Sequence, residues 1–397
     1  MNPETHVDPK PHLCFVAHYG YGAFRGSDNG FIGGSEWQRS LMARWFAACG
    51  YQVSAITWQE GDDGDEVVDS MKILKLCRAG AGIPWVRFLH PYWTSLSAAL
   101  KRANADIYYC NNADRSTGLV AAWCVWHRRR FVFSIASDPA CDGSMPLLRR
   151  KIDRLLYRFG VRNADLLISQ TRKQQQMLQE GFGRHAEVVP MPCPSVADAQ
   201  QNSSGLPPSK TSPGSVIWVG RAVELKRFEW FLEIAAALPS VEFEVAMALN
   251  EQTPYTSALL SQAASITNVK VHLRVPREKM SALYRRATCL VCTSRYEGFP
   301  NTFLEAWSCG IPVVSTVDPD GIIESRGLGS VATDLPGLIR AVRKLLSDSK
   351  VWLGASEKAR QYYEKHHTVD TAMSKFETAF LTLHETAGKP QSPGHRS

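Results

Sequence analysis

A chain of 397 residues, 44% hydrophobic and 21% charged, has the composition of an ordinary globular protein, which excludes extensive disorder and fibrous architectures and suits two domains with a cleft between them. Its formal charge of +7 favours polyanionic partners or anionic lipid surfaces, but spread over this length the excess does not indicate a nucleic-acid binder.

Residues 1–12 are polar and proline-bearing, with no apolar core of a leader peptide, and no later run reaches the length of a membrane span, so a cytoplasmic location is expected. The apolar run 13–18 reads as a buried strand leading into a glycine-rich loop, and an amphipathic helix comes next, from Ser35 to Cys49. Gly50 then caps that helix before a second strand ending at Thr57, and 106–110, 130–135, 164–169 and 186–189 repeat the strand signal. Strands alternating with helices predict a parallel, doubly wound sheet. The run Pro190-Met191-Pro192-Cys193-Pro194 breaks regular structure, and 195–214, rich in Ser, Pro, Gln and Asn, reads as an exposed linker.

A second αβ series begins at 215–220 and continues through 241–246, 269–273, 288–292 and 312–315. Amphipathic helices are expected over 335–346 and 351–382, with 388–397 fraying. The ten cysteines are scattered through apolar surroundings and read as reduced, mostly buried thiols. Cys289 and Cys292 have CxxC spacing but lie in a strand-like run without a second pair or a His cluster, which argues against a metal or redox site.

Chemistry concentrates in the segment from Ser294 to Trp307, where a strand ends, a loop turns and a helix begins near Thr302. Glu297 on the loop and Glu305 in the first turns of the helix both lie beside free backbone N–H groups, and such a helix start can hold a diphosphate. Read alone, Thr302-Phe303-Leu304-Glu305 is also a capping box, in which Glu305 would only satisfy backbone donors. The whole segment, however, resembles the E-x7-E signature of retaining GT-B glycosyltransferases, particularly family 4, and Gly310-Ile311-Pro312-Val313-Val314-Ser315 resembles the turn and strand that come after that signature in the family. The resemblance implies that Glu297 contacts the donor sugar near the reacting centre and that Glu305 binds the ribose. It also places Gly298, Phe299, Asn301 and Thr302 around the donor, although Pro300 and Asn301 stand where many relatives have Gly-Leu.

The stretch Val216 to Arg227 is a strand ending in Gly220, followed by Arg221 and Lys226, where relatives carry an Arg and a Lys. Their implied task is to stabilise negative charge on the leaving diphosphate. Gly33-Gly34-Ser35-Glu36 resembles the GG-x-E element that opens the first domain in the same family, with Gly33 and Gly34 admitting close backbone approach. The sequence departs from the family at 133–138, where relatives end the strand with a His that contacts the donor sugar. Ser137 stands there, followed by Asp138, which either hydrogen-bonds a hydroxyl or caps the next segment. His18 is a weaker candidate, more readily a structural histidine.

The resemblance therefore implies a GT-B fold of two facing Rossmann-like domains, over 11–194 and 215–365, with 366–387 a final helix packing back on the first domain. It implies transfer of a hexosyl group from a nucleotide diphosphate sugar to a glycan or lipid-linked acceptor, with retention, in polysaccharide assembly and without a metal or cofactor. A GT-B epimerase and a degenerate nucleotide-sugar sensor or scaffold are the alternatives. Basic runs at 128–130 and 147–158 read as solvated helix faces or as a peripheral membrane surface at the inner face. Trp85, Tyr92 and Trp93 read as sugar-stacking or core aromatics.

Overall fold

A computed structural model describes residues 10–26, 33–196, 214–249 and 253–386. The first sheet contains β1 (Leu13–Val16), β2 (Val53–Thr57), β3 (Glu66–Val68), β4 (Met71–Lys75), β5 (Ile107–Cys110), β6 (Arg130–Ser134), β7 (Leu166–Ser169) and β8 (Glu187–Val188). Their spatial order is β3-β4-β2-β1-β5-β6-β7-β8. All pairs are parallel except β3 with β4. That hairpin was not legible in the sequence: its two-residue turn is Asp69-Ser70, both at positive φ (45° and 64°), a conformation usually signalled by Asn-Gly or Asp-Gly.

The second sheet contains β9 (Ser215–Arg221), β10 (Phe243–Ala248), β11 (Val269–Leu273), β12 (Ala287–Cys292), β13 (Val313–Ser315) and β14 (Gly329–Val331), in the order β11-β10-β9-β12-β13-β14 and parallel throughout. The central strands β1, β5 and β12 are buried along their whole length, as helices on both faces of a parallel sheet require. The CxxC cysteines lie inside β12, and burial raises the Cys292 thiol above its ordinary pKa. Strand order reverses between β1 and β5 in one sheet and between β9 and β12 in the other. Loops leaving the carboxyl ends of these strands diverge there and open a crevice.

The sequence suggested one helix over 351–382, whereas the chain forms two, Ser349–His366 and Val369–Glu385. The break falls at His367, with Thr368 capping the second helix through its hydroxyl, which accepts from Thr371 N at 3.3 Å. His367 is held from both sides: its Nδ1 lies 3.0 Å from Met191 O, and its carbonyl accepts from Cys193 N at 2.9 Å. The last helix thereby rests on the first sheet's side of the molecule. Trp45 Nε1 donates to Asp370 at 3.0 Å, Tyr51 Oη donates to Glu377 at 2.7 Å, and Phe46 stacks on Phe380 with centroids 5.5 Å apart. Of the linker segment 195–214, only Ser195, Val196 and Gly214 fall among the described residues, and 388–397 lies outside them.

Candidate functional site

The loop leaving β12 is fixed by side chains from its neighbours. Arg227, itself at φ 45°, donates from Nε to Thr293 O at 2.6 Å and from Nη2 to Ser294 O at 3.2 Å, and its guanidinium lies 4.0 Å from the centre of the Trp230 ring. Thr316 Oγ1 donates to Ser294 O at 2.5 Å and Trp218 Nε1 to Thr293 Oγ1 at 3.3 Å. This anchoring presents Glu297 at the crevice, where it forms an ion pair with Lys226. Arg221 ends β9 at an exposed position, with no ion pair among the described residues, and Gly220 before it lies over the buried Trp218 ring.

Next in the loop, Gly298 meets the first domain. A Cβ there would lie 2.5 Å from Ala136 O and 2.7 Å from Gln170 Oε1, so only glycine permits the approach. Phe299 N donates to Gln170 Oε1 at 2.8 Å, and Asn301 Nδ2 lies 3.4 Å from Gly34 O. The helix Asn301–Ser308 begins after Pro300 without a side-chain cap, so the N–H groups at Asn301 and Thr302 keep their capacity to bind an anion. The capping-box reading of Thr302 to Glu305 fails for the same reason. Glu305 instead points into the fold, where Oε1 accepts from Arg277 Nη2 at 2.7 Å and Oε2 from Tyr284 Oη at 2.7 Å. The residue is buried, at 7% exposure, and each carboxylate oxygen keeps a further lone pair that a hydroxyl donor can use. Burial and the nearby Glu305 charge push the Tyr284 hydroxyl well up, so it remains a donor.

Across the crevice, Gly33 caps the helix Gly34–Ala48. Trp37 on that helix lies over the Arg277 guanidinium, 3.5 Å from ring centre to cation, so a stack joins the two domains at the residue that also holds Glu305. Asp138 begins a short helix but caps nothing with its side chain: it accepts from Lys173 Nζ at 2.7 Å and Gln174 Nε2 at 3.2 Å. Asp138, Lys173, Arg295, Tyr296 and Glu297 are among the residues lining a cavity of about 230 Å³ between the domains. Asp320 of the second domain, which also lines it, accepts from the backbone N–H of Arg172 (2.7 Å) and Lys173 (3.0 Å), capping a first-domain helix from outside.

His18 does not reach this cavity. It is buried beside Trp58 and Tyr92, with Nε2 3.1 Å from Tyr92 Oη and Nδ1 3.2 Å from Asn112 Nδ2, and burial lowers its pKa to about 4, so the ring is neutral. Thus the crevice gathers Glu297, Lys226, Gly298, Phe299, Asn301, Gly34 and Asp138. Arg277, Tyr284, Trp37, Lys173 and Asp320 complete it. These five were not singled out from the sequence, because each acts through a partner far along the chain and no local spacing marks it. No group of three or more His, Cys, Asp or Glu side chains able to hold a metal is found among the described residues.

Two family models match the chain: the glycosyl transferases group 1 over residues 213–348 and the glycosyl transferase 4-like domain over residues 33–194. Among solved structures, sucrose-phosphate synthase from Thermosynechococcus elongatus superposes with a TM-score of 0.73 at 16% identity, covering 95% of this chain and 100% of that one. Anabaena HepE in complex with UDP-glucose superposes at 0.71 with 15% identity, covering 94% and 99%. A curated relative from Streptococcus pneumoniae serotype 4 (strain ATCC BAA-334 / TIGR4), the UDP-N-acetylglucosamine–peptide N-acetylglucosaminyltransferase GtfA subunit, is 25% identical over 177 residues, 42% of this chain. The match spans 33% of the length of that relative. Matched in both halves and folded as the two facing sheets of GT-B, the chain belongs to the group 1 glycosyltransferases.

Proposed function

We propose that the protein transfers a hexosyl group from a nucleotide diphosphate sugar to a glycan or lipid-linked acceptor, with retention of the anomeric configuration. The observation that carries this reading is the convergence of a cation, two carboxylates and an uncapped helix start at the β9/β12 crevice. In it, Glu305, held by Arg277 and Tyr284, accepts from the ribose hydroxyls. The diphosphate lies at the N–H groups of Asn301 and Thr302, near Gly220, Gly33 and Gly34. Lys226 exchanges its Glu297 partner for the diphosphate and, with Arg221, stabilises the charge that develops as the bond from the anomeric carbon to the diphosphate oxygen breaks.

Released from Lys226, Glu297 then holds hydroxyls of the transferred sugar, with Gly298 and Phe299 shaping the loop around it. Asp138, tied to Lys173 and Gln174, offers a second carboxylate on the opposite wall, in the place where relatives use a His. The reading needs no metal or cofactor, because fixed positive side chains and backbone dipoles do that work. A lipid-linked acceptor would bring the protein to the inner face of a membrane.

Calorimetric titration with UDP-, GDP- and ADP-sugars, with Lys226→Ala and Glu305→Ala in parallel, tests the donor site. Saturable binding to one donor, lost in both variants, is expected. Turnover followed by NMR of the anomeric signal then separates transfer with retention from epimerisation of the free donor. Saturation without any turnover would favour a sensor or scaffold.

A further inference from the structure

The charge of this protein is not spread evenly. Residues 83–163 carry thirteen Lys and Arg against five Asp and Glu, so this one segment of the first domain holds more than the entire net charge of +7. Some of that charge is internally matched: Arg129 pairs with Asp106 and Arg130 with Asp165, which accounts for two members of the 128–130 run. Arg87, Arg149, Arg150 and Lys151 are exposed and have no ion pair among the described residues.

The same segment exposes apolar side chains that a water-facing surface does not explain. Trp85 is 96% exposed, Ile83 70%, Leu89 61% and Leu155 65%. The helix Lys151–Asn163 buries Tyr157, Gly160 and Val161, with Gly160 against Thr117 of the helix Arg115–His127 and Tyr157 against Phe133 and Phe182, yet also turns Ile152, Leu155 and Phe159 outward. Those three have the i, i+3, i+7 spacing of one face, so the helix carries two apolar faces and covers only one.

A line of contacts joins the exposed residues into a single surface. Phe88 lies 5.3 Å from the Arg115 guanidinium, and Arg115 pairs with Asp153 at 3.1 Å on the helix that bears Ile152 and Leu155. In the other direction Phe88 contacts Tyr92, which meets His18 at the carboxyl end of β1. The exposed surface is thus anchored, through Phe88, Tyr92 and the buried His18, on the carboxyl end of β1.

We infer that this surface, formed by residues 83–89 and the outer face of Lys151–Asn163, docks the protein on an anionic lipid bilayer and so delivers a lipid-linked acceptor to the crevice. Arginines interleaved with Leu, Ile and Phe along a helix lying flat, with a tryptophan at full exposure beside it, fit a headgroup layer over acyl chains. An acidic protein partner would also match the cations and cover a tryptophan, but it predicts no binding to vesicles, which flotation reads directly. The inference rests on the glycosyl-transfer reading only for its substrate; the surface itself stands on charge and exposure.

Flotation of the full chain with phosphatidylglycerol-containing vesicles and with pure phosphatidylcholine vesicles, at low and high salt, tests it. Each cation near an anionic surface strengthens binding about fivefold, so Arg149→Gln, Arg150→Gln and Lys151→Gln together should weaken it on the order of 100-fold. Trp85→Ser and Leu155→Ser should each weaken it about tenfold or more by removing buried apolar area. Leu353→Ser, an exposed leucine of the second domain, should change it less than about twofold.

Donor titration accompanies every variant, since none of these residues lies in the donor crevice, and unchanged donor binding shows that the fold is intact. Equal binding to both vesicle types, or binding that a soluble polyanion abolishes and Trp85→Ser leaves untouched, overturns the inference. Vesicle binding that persists while no nucleotide sugar binds would instead overturn the glycosyl-transfer reading and leave the docking surface standing.

Discussion

Arg277 is the residue through which the first domain should control the nucleoside site, and replacing it with Ala isolates that control. The variant removes a charged hydrogen bond of 2.7 Å to Glu305 and a guanidinium stacked 3.5 Å from the Trp37 ring. Arg277 keeps 43% of its side chain exposed, so the ion pair is partly screened and is worth about 1 kcal/mol rather than a buried-pair value. Loss of orientation at Glu305, which then keeps only Tyr284, adds roughly another 1 kcal/mol. Donor affinity should therefore fall about tenfold to thirtyfold, with kcat changed far less, since Glu305 is proposed to hold the nucleoside and not the reacting carbon.

Trp37 supplies the control. It belongs to the other domain and has no hydrogen bond to Glu305, so Trp37→Leu should weaken donor binding by only about twofold to fivefold, the worth of a partly exposed cation–π contact. In the Arg277→Ala background the same change should cost nothing further, because the partner is already gone. Isothermal titration of the four proteins completes the cycle. Unchanged donor affinity in Arg277→Ala, or a Trp37 effect that survives in its absence, would refute the cross-domain argument.

The same geometry sets the outcome of other perturbations. Gly298→Ala would force a Cβ to within 2.5 Å of Ala136 O and wedge the domains apart; overpacking of this kind costs about 1–3 kcal/mol, so kcat/KM should fall roughly tenfold to 100-fold with little change in melting temperature. Equal activity in the variant would show that the domains do not need this approach. Asp320→Ala removes the cap that the second domain places on the helix Arg172–Phe182, at about 1 kcal/mol; small-angle scattering should show a more open average shape, and an unchanged radius of gyration would count against it. Acid sensitivity should come from buried histidines. Burial lowers His18 and His367 to about 4 from an ordinary value near 6.5, so between those values the unfolded chain binds protons that the folded chain refuses. Stability is thus complete above pH 6.5 and declines as pH falls toward 4, by about 2 kcal/mol per histidine at pH 5. Denaturant titrations at several pH values should show the slope, His367→Gln should reduce it, and a flat profile from pH 7 to pH 5 would refute it.

Periodicity and punctuation alone were enough to read two αβ series, because buried parallel strands are short continuous apolar runs and helices carry their own spacing. The positions of Glu297, Glu305, Lys226 and Gly220 were legible for a related reason: each lies within a few residues of a strand end or helix start, so local order places it. Less local features escaped. The break at His367 depends on contacts with Met191 and Cys193 that no window along the chain contains, and Asp69-Ser70 made a turn without its usual residues.

Tertiary structure alone decided what the charged side chains face. By spacing alone Thr302 to Glu305 is a capping box; in the fold the helix starts uncapped after Pro300, and Glu305 is met instead by Arg277 and Tyr284, which reach it from another helix. His18 was decided by Trp58 and Tyr92 closing over it, and Arg129 and Arg130 by Asp106 and Asp165 arriving from neighbouring loops. Local propensity selects helix, strand or turn because those energies are set within a few residues. Which partner neutralises a charge, and which apolar face is left bare, depends on distant segments meeting in the folded chain, and only the tertiary packing settles it.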